Sequence, residues 1–341
     1  MSGNMAPTVN VTLVMLSNQS QCEEADSFEF FFVPVVYSVV FCLGLPSNLL
    51  ALLVFLQRTE AVKKVIQIYL LNLTIADILF NLMLPFWVVY YVKRGDWIFT
   101  EIGCRLAGAI YYVCTYSSIT FMTLISINRY CIVTKRSNRY VSSKRGAFIS
   151  CMLSWAFWFC CAIPTLLVDQ TSKTEFGLTK CFEKFSQSTL YYFAVCGFFG
   201  VSFFMVLLTY ISIIRSLSAP DSLSHSKTPR TLAKAMVSGI LLVFLICVAP
   251  YHITLVFWVI EGGQRHGCFR MSALRISHWI NTGLLSVNSC IDPLIYCFSL
   301  QRFRAEIKAK LLWLTKRRRP SQIHSSRHFP VLSRSTSSTY S

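Results

Sequence analysis

Charge is what this sequence has least of. Only 14% of its 341 residues are Asp, Glu, Lys or Arg, against 54% hydrophobic residues. A water-soluble domain carries nearer about a quarter charged, so the composition excludes an ordinary soluble enzyme or binding module and points to a membrane protein. Acidic residues are the scarcest, 15 against 32 Lys and Arg, which leaves a formal net charge of +17. No basic stretch, short apolar core and small-residue cleavage site open the chain, so no cleaved signal peptide is expected and the first apolar segment serves as its own anchor. No self-similar halves appear, which weighs against a transporter built from repeats. No set of His, Cys and acidic residues converges at a spacing suited to nucleophilic or metal-assisted catalysis, so no enzyme is expected.

What the sequence has in abundance is long apolar stretches. Seven of them, at about 30–57, 65–92, 102–134, 147–168, 188–217, 232–260 and 273–299, meet the roughly 20 residues a helix needs to cross a hydrocarbon layer about 30 Å thick. The expected fold is an all-α membrane protein, a seven-transmembrane helix bundle. The first, third and fifth connectors and the C-terminal segment are basic, whereas the N-terminal segment is acidic. By the positive-inside rule the N-terminus is outside and the C-terminus inside, and the basic excess is a cytoplasmic rim facing anionic lipid rather than a nucleic-acid footprint. The chain divides into an extracellular tail (1–28), the bundle (29–299), an amphipathic eighth helix (300–314) and a cytoplasmic tail (315–341). Asn10 and Asn18 head glycosylation sequons on the outer tail, while the sequon at Asn72 falls inside the second span.

Most of the 14 cysteines lie within apolar spans, where a thiol behaves as a small hydrophobe. Cys22, Cys104, Cys181 and Cys268 fall in the outer, oxidising regions. Four cysteines permit three pairings; one of them, Cys104 with Cys181, pins the fourth connector over the bundle mouth and leaves Cys22 and Cys268 to join the tail to the sixth connector. At membrane depth the ionisable residues are few: Asp77, Asp292 and, at the inner end of the third span, Arg129. Such residues are costly and face the bundle interior. With Asn48, Asn72, Ser118, Asn128, Asn288 and Ser289 around them, the two carboxylates can share a proton, coordinate a small cation such as sodium, or bond the helices together. Pro85, Pro164, Pro250 and Pro293 interrupt spans, and Pro250 and Pro293 are candidate pivots.

The ordered set "NLTIAD" (72–77), "NRY" (128–130), Trp155, "FLICVAP" (244–250) and "NSCIDPLIY" (288–296), together with Asn48 and the Cys104/Cys181 pair, resembles the rhodopsin-like (class A) G protein-coupled receptors over nearly the whole chain. The resemblance implies a bistable bundle with a heterotrimeric G protein and arrestin as partners. It places Asn128, Arg129, Tyr130, Tyr210, Asp292, Pro293 and Tyr296 in the cytoplasmic switch, and Asp77, Ser118, Asn288, Ser289 and Asp292 in a pocket for an allosteric sodium ion. Three positions depart from the family pattern. Asn128 replaces the usual acid before the arginine, Val248 stands where a tryptophan switch is usual, and Ser202 lies near the place of the usual mid-span proline of the fifth span. An amide cannot neutralise Arg129, which implies raised basal activity.

Within the family, "LPFWVVYY" (84–91), "GDWIF" (95–99), "CFEKF" (181–185), "APYHI" (249–253) and "LLSVNSCIDPLIYCF" (284–298) look like a receptor for a zwitterionic phospholipid mediator coupled to Gq and Gi. A lysophospholipid, a nucleotide, protons or a peptide is the alternative ligand. The outer halves of the spans supply Trp87, Tyr90, Tyr91, Tyr111, Tyr112, Thr115, Tyr116, Tyr251, His252, Leu255, Trp258, His278, Trp279 and Thr282 as candidate ligand-binding residues. No acid occupies the Tyr111 position, as an amine ligand of this family requires, and no lysine in the seventh span allows a retinal Schiff base. Arg105, Lys180, Lys184, Arg270 and Arg275 are rim cations suited to a phosphate. Past Cys297, Phe303, Ile307, Leu311 and Leu314 share one face of the amphipathic helix, Lys316–Arg319 form a basic patch, and the closing "SRSTSSTYS" offers hydroxyls for phosphorylation and arrestin recruitment.

Overall fold

The computed structural model describes residues 8–56, 65–134, 143–175, 177–182, 189–217, 227–261 and 268–299; side chains are described from residue 28 onward, except at 217, 227–230, 261, 268–272 and 296–299. The helix, disulfide and tail features expected at 300–341, at the side chains of Cys22 and Cys268, and at those of Asn10 and Asn18 lie outside the described residues.

Helices α1 (Thr8–Leu56), α2 (Val65–Val92), α3 (Glu101–Val133), α4 (Lys144–Leu167) and α5 (Thr189–Leu217) are the first five spans. The sixth combines α6 (Lys227–Val243), a π-turn (Phe244–Val248) and α7 (Ala249–Glu261), and the seventh is α8 (Cys268–Ser299). Among the described residues six spans are apolar and long enough to cross a membrane by composition alone, beginning with Phe28–Leu56. The seventh, α8, carries Arg275, His278, Asn281, Asn288 and Asp292 along its length, and His278, Asn288 and Asp292 are buried in the bundle interior.

Local sequence explains where the helices start and bend. Thr100 caps α3 by accepting the Gly103 N–H at 3.1 Å, and Ser143 caps α4 by accepting that of Gly146 at 2.9 Å. Pro250 has no N–H and its ring crowds the carbonyl one turn earlier; the π-turn directly before it takes up that misfit. Its own carbonyl accepts hydrogen bonds from Thr254 Oγ1 (3.0 Å) and Asn281 Nδ2 (3.1 Å), which ties the bend to α8.

Around the bundle, α1 packs on α2 and α8, and α3 runs through the centre against α2, α4, α5 and α6. The lipid-facing sides are apolar and exposed, as at Leu43, Leu53, Leu153, Phe157, Val201 and Phe204, while Tyr69, Tyr116, Phe121, Ile125 and Phe244 fill the interior. Between α4 and α5 the chain forms a two-stranded antiparallel hairpin, β1 (Thr171–Lys173) with β2 (Thr179–Cys181), in the register Thr171↔Cys181. The Cys104–Cys181 disulfide, with Cα atoms 5.9 Å apart, anchors β2 to the start of α3. The Trp97 N–H donates to Thr179 O at 2.7 Å, and Asp96 Oδ1 accepts the Thr179 N–H at 2.9 Å, so the hairpin lies across the outer mouth.

Candidate functional site: an outer cavity above a buried polar cluster

Under the hairpin lies a cavity of about 400 Å³. Of the candidate ligand-binding residues it is lined by Trp87, Tyr90, Tyr91, Tyr111, Tyr112, Tyr251, Leu255, Trp258, His278, Trp279 and Thr282. Edge-to-face ring contacts hold the wall together: Trp87 with Tyr111 at 6.2 Å, Tyr91 with Trp279 at 5.5 Å, and Trp258 with His278 at 4.4 Å. His278 Nδ1 lies 3.1 Å from Thr254 Oγ1, which fixes the ring. The indole N–H of Trp87 is buried and has no partner among the described residues, leaving a donor for an oxygen atom of a ligand.

Three candidates sit outside the cavity wall. Thr115 Oγ1 donates to the Tyr111 carbonyl at 2.8 Å within its own helix. Tyr116 stacks on Trp158 at 5.0 Å, and His252 stacks on Phe199 at 4.4 Å with its Nδ1 2.9 Å from the Val248 carbonyl. Tyr116 and His252 are themselves in ring contact at 6.0 Å. Tyr116 and His252 belong to an aromatic packing layer in the bundle interior.

The cavity also takes residues that are not among the sequence candidates: Glu29, Phe30, Tyr37, Phe182 and Tyr192. Tyr37 reaches Tyr111, hydroxyl to hydroxyl, at 3.4 Å. Phe182 follows the disulfide with a left-handed backbone (φ 74°), which drops its ring between Trp87 (6.0 Å) and Tyr112 (5.9 Å). Its adjacency to Cys181 was the available signal. Of the rim cations, Lys180 and Arg275 line the cavity. Arg105 is drawn off it: Nε donates to Glu101 Oε1 at 2.8 Å, Nη1 to Leu166 O at 3.2 Å, and the guanidinium pairs with Asp169. Lys184 and the side chain of Arg270 lie outside the described residues. Glu29 faces both Lys180 and the Trp279 indole.

Deeper, where α1, α2, α3 and α8 meet, Asp77 and Asp292 are buried facing each other. Asn288 Nδ2 reaches Ser118 Oγ at 3.5 Å, and Asn81 Nδ2 reaches both Ser289 Oγ (3.2 Å) and the Asp77 carbonyl (2.7 Å). The structure thus brings Asp77, Ser118, Asn288, Ser289 and Asp292 together and adds Asn81, one turn after Asp77. Asp77 Oδ2, both Asp292 oxygens, Asn81 Oδ1 and Asn288 Oδ1 are buried acceptors without a donor among the described residues. Such an oxygen-only set suits a hard cation.

At the cytoplasmic end Arg129 Nε lies 3.4 Å from Met236 Sδ on α6, and among the described residues no carboxylate pairs with it. Asn128 is fully buried. Tyr130 and Tyr210 pack together on a cluster of Val133, Ile213, Ala233 and Val237 that joins α3, α5 and α6. Pro293 is buried inside α8, and the Tyr296 side chain lies outside the described residues.

A seven-span bundle with an outer cavity, a buried acidic pair and an arginine held against α6 at the inner end has the architecture of a membrane receptor. Residues 47–296 match the family described as 7 transmembrane receptor (rhodopsin family). The chain is 33% identical to the platelet-activating factor receptors of Bos taurus and of Homo sapiens, in each case over 86% of this chain and 90% of the relative. It is 31% identical to a purinoceptor of Xenopus laevis, over 86% of this chain and 57% of that relative. The chain belongs to the rhodopsin family and is a class A G protein-coupled receptor: a multi-pass plasma-membrane signalling protein, not an enzyme.

The seat of Phe182 is testable without a ligand. A Cβ on Gly108 would fall inside the Phe182 ring, whereas one on Gly200 meets nothing within 4 Å. Gly108→Ala is expected to destabilise the purified receptor by about 1–3 kcal/mol through overpacking, and Gly200→Ala to be neutral or to stabilise it by up to about 1 kcal/mol through helix propensity. Thermal melting in detergent reads both; a G108A protein that melts no lower than G200A would place the ring elsewhere.

Proposed function

We propose that this receptor responds to a zwitterionic phospholipid mediator of the platelet-activating factor type and signals through Gq and Gi. The carrying observation is the distribution of charge in an otherwise aromatic cavity: Lys180 and Arg275 as cations and Glu29 as an acid. A phosphate suits the guanidinium and ammonium, a quaternary ammonium suits carboxylate and ring faces, and an alkyl chain suits the aromatic wall. A volume of about 400 Å³ lies within the range for small-ligand sites. The similarity to the platelet-activating factor receptors supports the same reading. The purinoceptor relative favours a purine nucleotide as the second reading, but a polyphosphate would set several negative charges against two cations and beside Glu29.

In this reading ligand entry tightens the hairpin, α1 and α8 around the cavity. The aromatic layer of Tyr116, Trp158, Phe199 and His252 passes the change to the π-turn and α6, in place of the tryptophan that Val248 replaces. Release of α6 from Arg129 then opens the cytoplasmic face to the G protein, a population shift between two packed states. Asp77, Ser118, Asn288, Ser289 and Asp292 would hold a sodium ion, whose charge offsets the buried carboxylates. The phosphorylated Ser/Thr run at 333–341 would recruit arrestin.

Three outcomes test these roles. In cells expressing the chain, a panel of phospholipids, lysophospholipids and nucleotides should release calcium only with a zwitterionic phospholipid. Lys180→Gln with Arg275→Gln should weaken that potency by about tenfold or more, the worth of about 1.4 kcal/mol; a nucleotide response instead would replace the ligand assignment. Exchanging choline chloride for sodium chloride should raise the melting temperature of the purified receptor by about 2–4 °C per kcal/mol of binding. Asp77→Asn should abolish that shift, and a shift that survives would remove sodium from the cluster. Asn128→Asp supplies the carboxylate that Arg129 lacks and should lower ligand-independent nucleotide exchange on G protein by about fivefold, the worth of a pair of about 1 kcal/mol. Equal exchange at matched receptor amounts would count against it.

A further inference from the structure

A chain of side-chain hydrogen bonds runs from the wall of the outer cavity to the bend of the sixth span. His278 of α8 lines the cavity and is itself only 4% exposed. Its Nδ1 lies 3.1 Å from Thr254 Oγ1 on α7. Asn281 Nδ2, about one turn further along α8, reaches the same oxygen at 3.4 Å and donates to the Pro250 carbonyl at 3.1 Å. We propose that this network locks His278 as its Nδ1–H tautomer, so that Nε2 meets the cavity as an acceptor and selects a ligand bearing a hydroxyl donor. The inference rests on the zwitterionic phospholipid reading and narrows it to members with a free glycerol hydroxyl.

The hydrogen of Thr254 sets the tautomer. A hydroxyl has one hydrogen to give and two lone pairs to receive. Thr254 Oγ1 lies 3.0 Å from two carbonyls of its own helix, those of Pro250 and Tyr251, and a helical threonine gives its hydrogen to such a carbonyl. Its lone pairs then receive Asn281 Nδ2 and the imidazole. A neutral imidazole carries a hydrogen on one nitrogen only. Nδ1 is therefore the donor, and Nε2 keeps its lone pair.

Packing keeps that lone pair on the cavity. Trp258 and Tyr251 flank the ring at 4.4 and 5.2 Å, and turning it over would set a carbon against Thr254 Oγ1 and forfeit the bond. Among the described residues Nε2 has no partner. His252 makes the contrast: its Nε2 is sealed in the bundle interior, away from the cavity wall.

The rest of the wall gives this acceptor its weight. Lys180, Arg275 and the Trp87 indole are donors, suited to phosphate and ester oxygens. The carboxylate of Glu29 already faces Lys180 and Trp279. A ligand without a donor would bury Nε2 unpaired, and a site built to bond a hydroxyl rejects the analogue that lacks it.

The tautomer can be read without any ligand. In full-length receptor with isotopically labelled histidine, solid-state nitrogen NMR should show His278 protonated at Nδ1 and bare at Nε2, its signals assigned by their loss in His278→Asn. A proton on Nε2 would overturn the lock. Thr254→Val should let both tautomers appear. The hydroxyl is tested by equilibrium binding of short-chain lysophosphatidylcholine and of its O-methyl ether at the glycerol hydroxyl, which removes that donor. The receptor should prefer the free hydroxyl by about tenfold. His278→Gln, whose amide oxygen reaches the place of Nε2, should keep a preference of at least about fivefold. His278→Asn, whose amide reaches only the place of Nδ1 and so keeps the Thr254 contact, should bring it below about twofold. These ratios do not depend on how much of each variant is folded. Equal binding of the two lipids, a preference that survives in H278N, or an equal loss in H278Q would overturn the hydroxyl contact. Binding of neither lipid would remove the phospholipid reading and the hydroxyl with it, while the nitrogen signals would still decide the tautomer.

Discussion

The hydrogen bond from Asn48 Nδ2 to the Ser289 carbonyl, at 2.7 Å and fully buried, is the contact on which the rest of the bundle depends. In an α-helix the Ser289 carbonyl would accept the N–H four residues on, which belongs to Pro293 and does not exist. In hydrocarbon that orphaned oxygen would cost several kcal/mol. Asn48 supplies the missing donor from another helix while also holding the Gly44 carbonyl at 3.0 Å. A backbone defect in α8 thus becomes a specific joint with α1. Lipid tails are as apolar as leucine, so hydrophobicity gives little drive for one helix face to choose another. Pairings of this kind set the register instead, and Asn81 extends this one to α2 through Ser289 Oγ.

That joint also fixes the function-bearing levels of the molecule. It holds Asp77 and Asp292 opposite one another, with the aromatic cavity on the outer side and Arg129 on the inner. Between cavity and acids lies the stack of Trp158, Tyr116, His252 and Phe199, which bears on the π-turn through the His252 contact with the Val248 carbonyl. Packed rings are bistable rather than continuously deformable. In the proposed mechanism the stack and the widened turn together would give the sixth span a place to change arrangement even though residue 248 is a valine.

The spans were legible from apolar length and the shared polar centre from the cost of charge in lipid, because both follow from bilayer physics that one sequence already obeys. Level within a helix was harder to read. Tyr111, Tyr112, Thr115 and Tyr116 are neighbours in sequence, yet a turn of helix moves a side chain by about 5.4 Å, enough to take Tyr116 out of the cavity and onto Trp158. Residues entering from loops were less legible still. Phe182 reaches the cavity only because its backbone is left-handed, and Glu29 and Tyr37 only because α1 leans on α2 and α8. The π-turn leaves no mark on hydrophobic periodicity; Pro250 signals a disturbance without its kind.

Arg105 shows how tertiary contacts decide the charge of a site. It shares a helix with the cavity residues and reads as one more phosphate ligand. In the fold, Glu101 accepts from the Gln170 and Thr171 N–H groups at 2.7 and 3.0 Å and from the Thr171 hydroxyl, so the carboxylate fastens the hairpin to α3. Arg105 is the counter-ion of that clasp and turns towards Asp169 and the end of α4. Among the described residues the cations along the cavity wall are Lys180 and Arg275, with Glu29 beside Lys180. Two positive groups and one negative one balance a single phosphate accompanied by a cation, and leave a chain of phosphates undercompensated in a confined aromatic space. Under the proposed function, the demand for a rigid hairpin thereby bears on which ligands the cavity would hold.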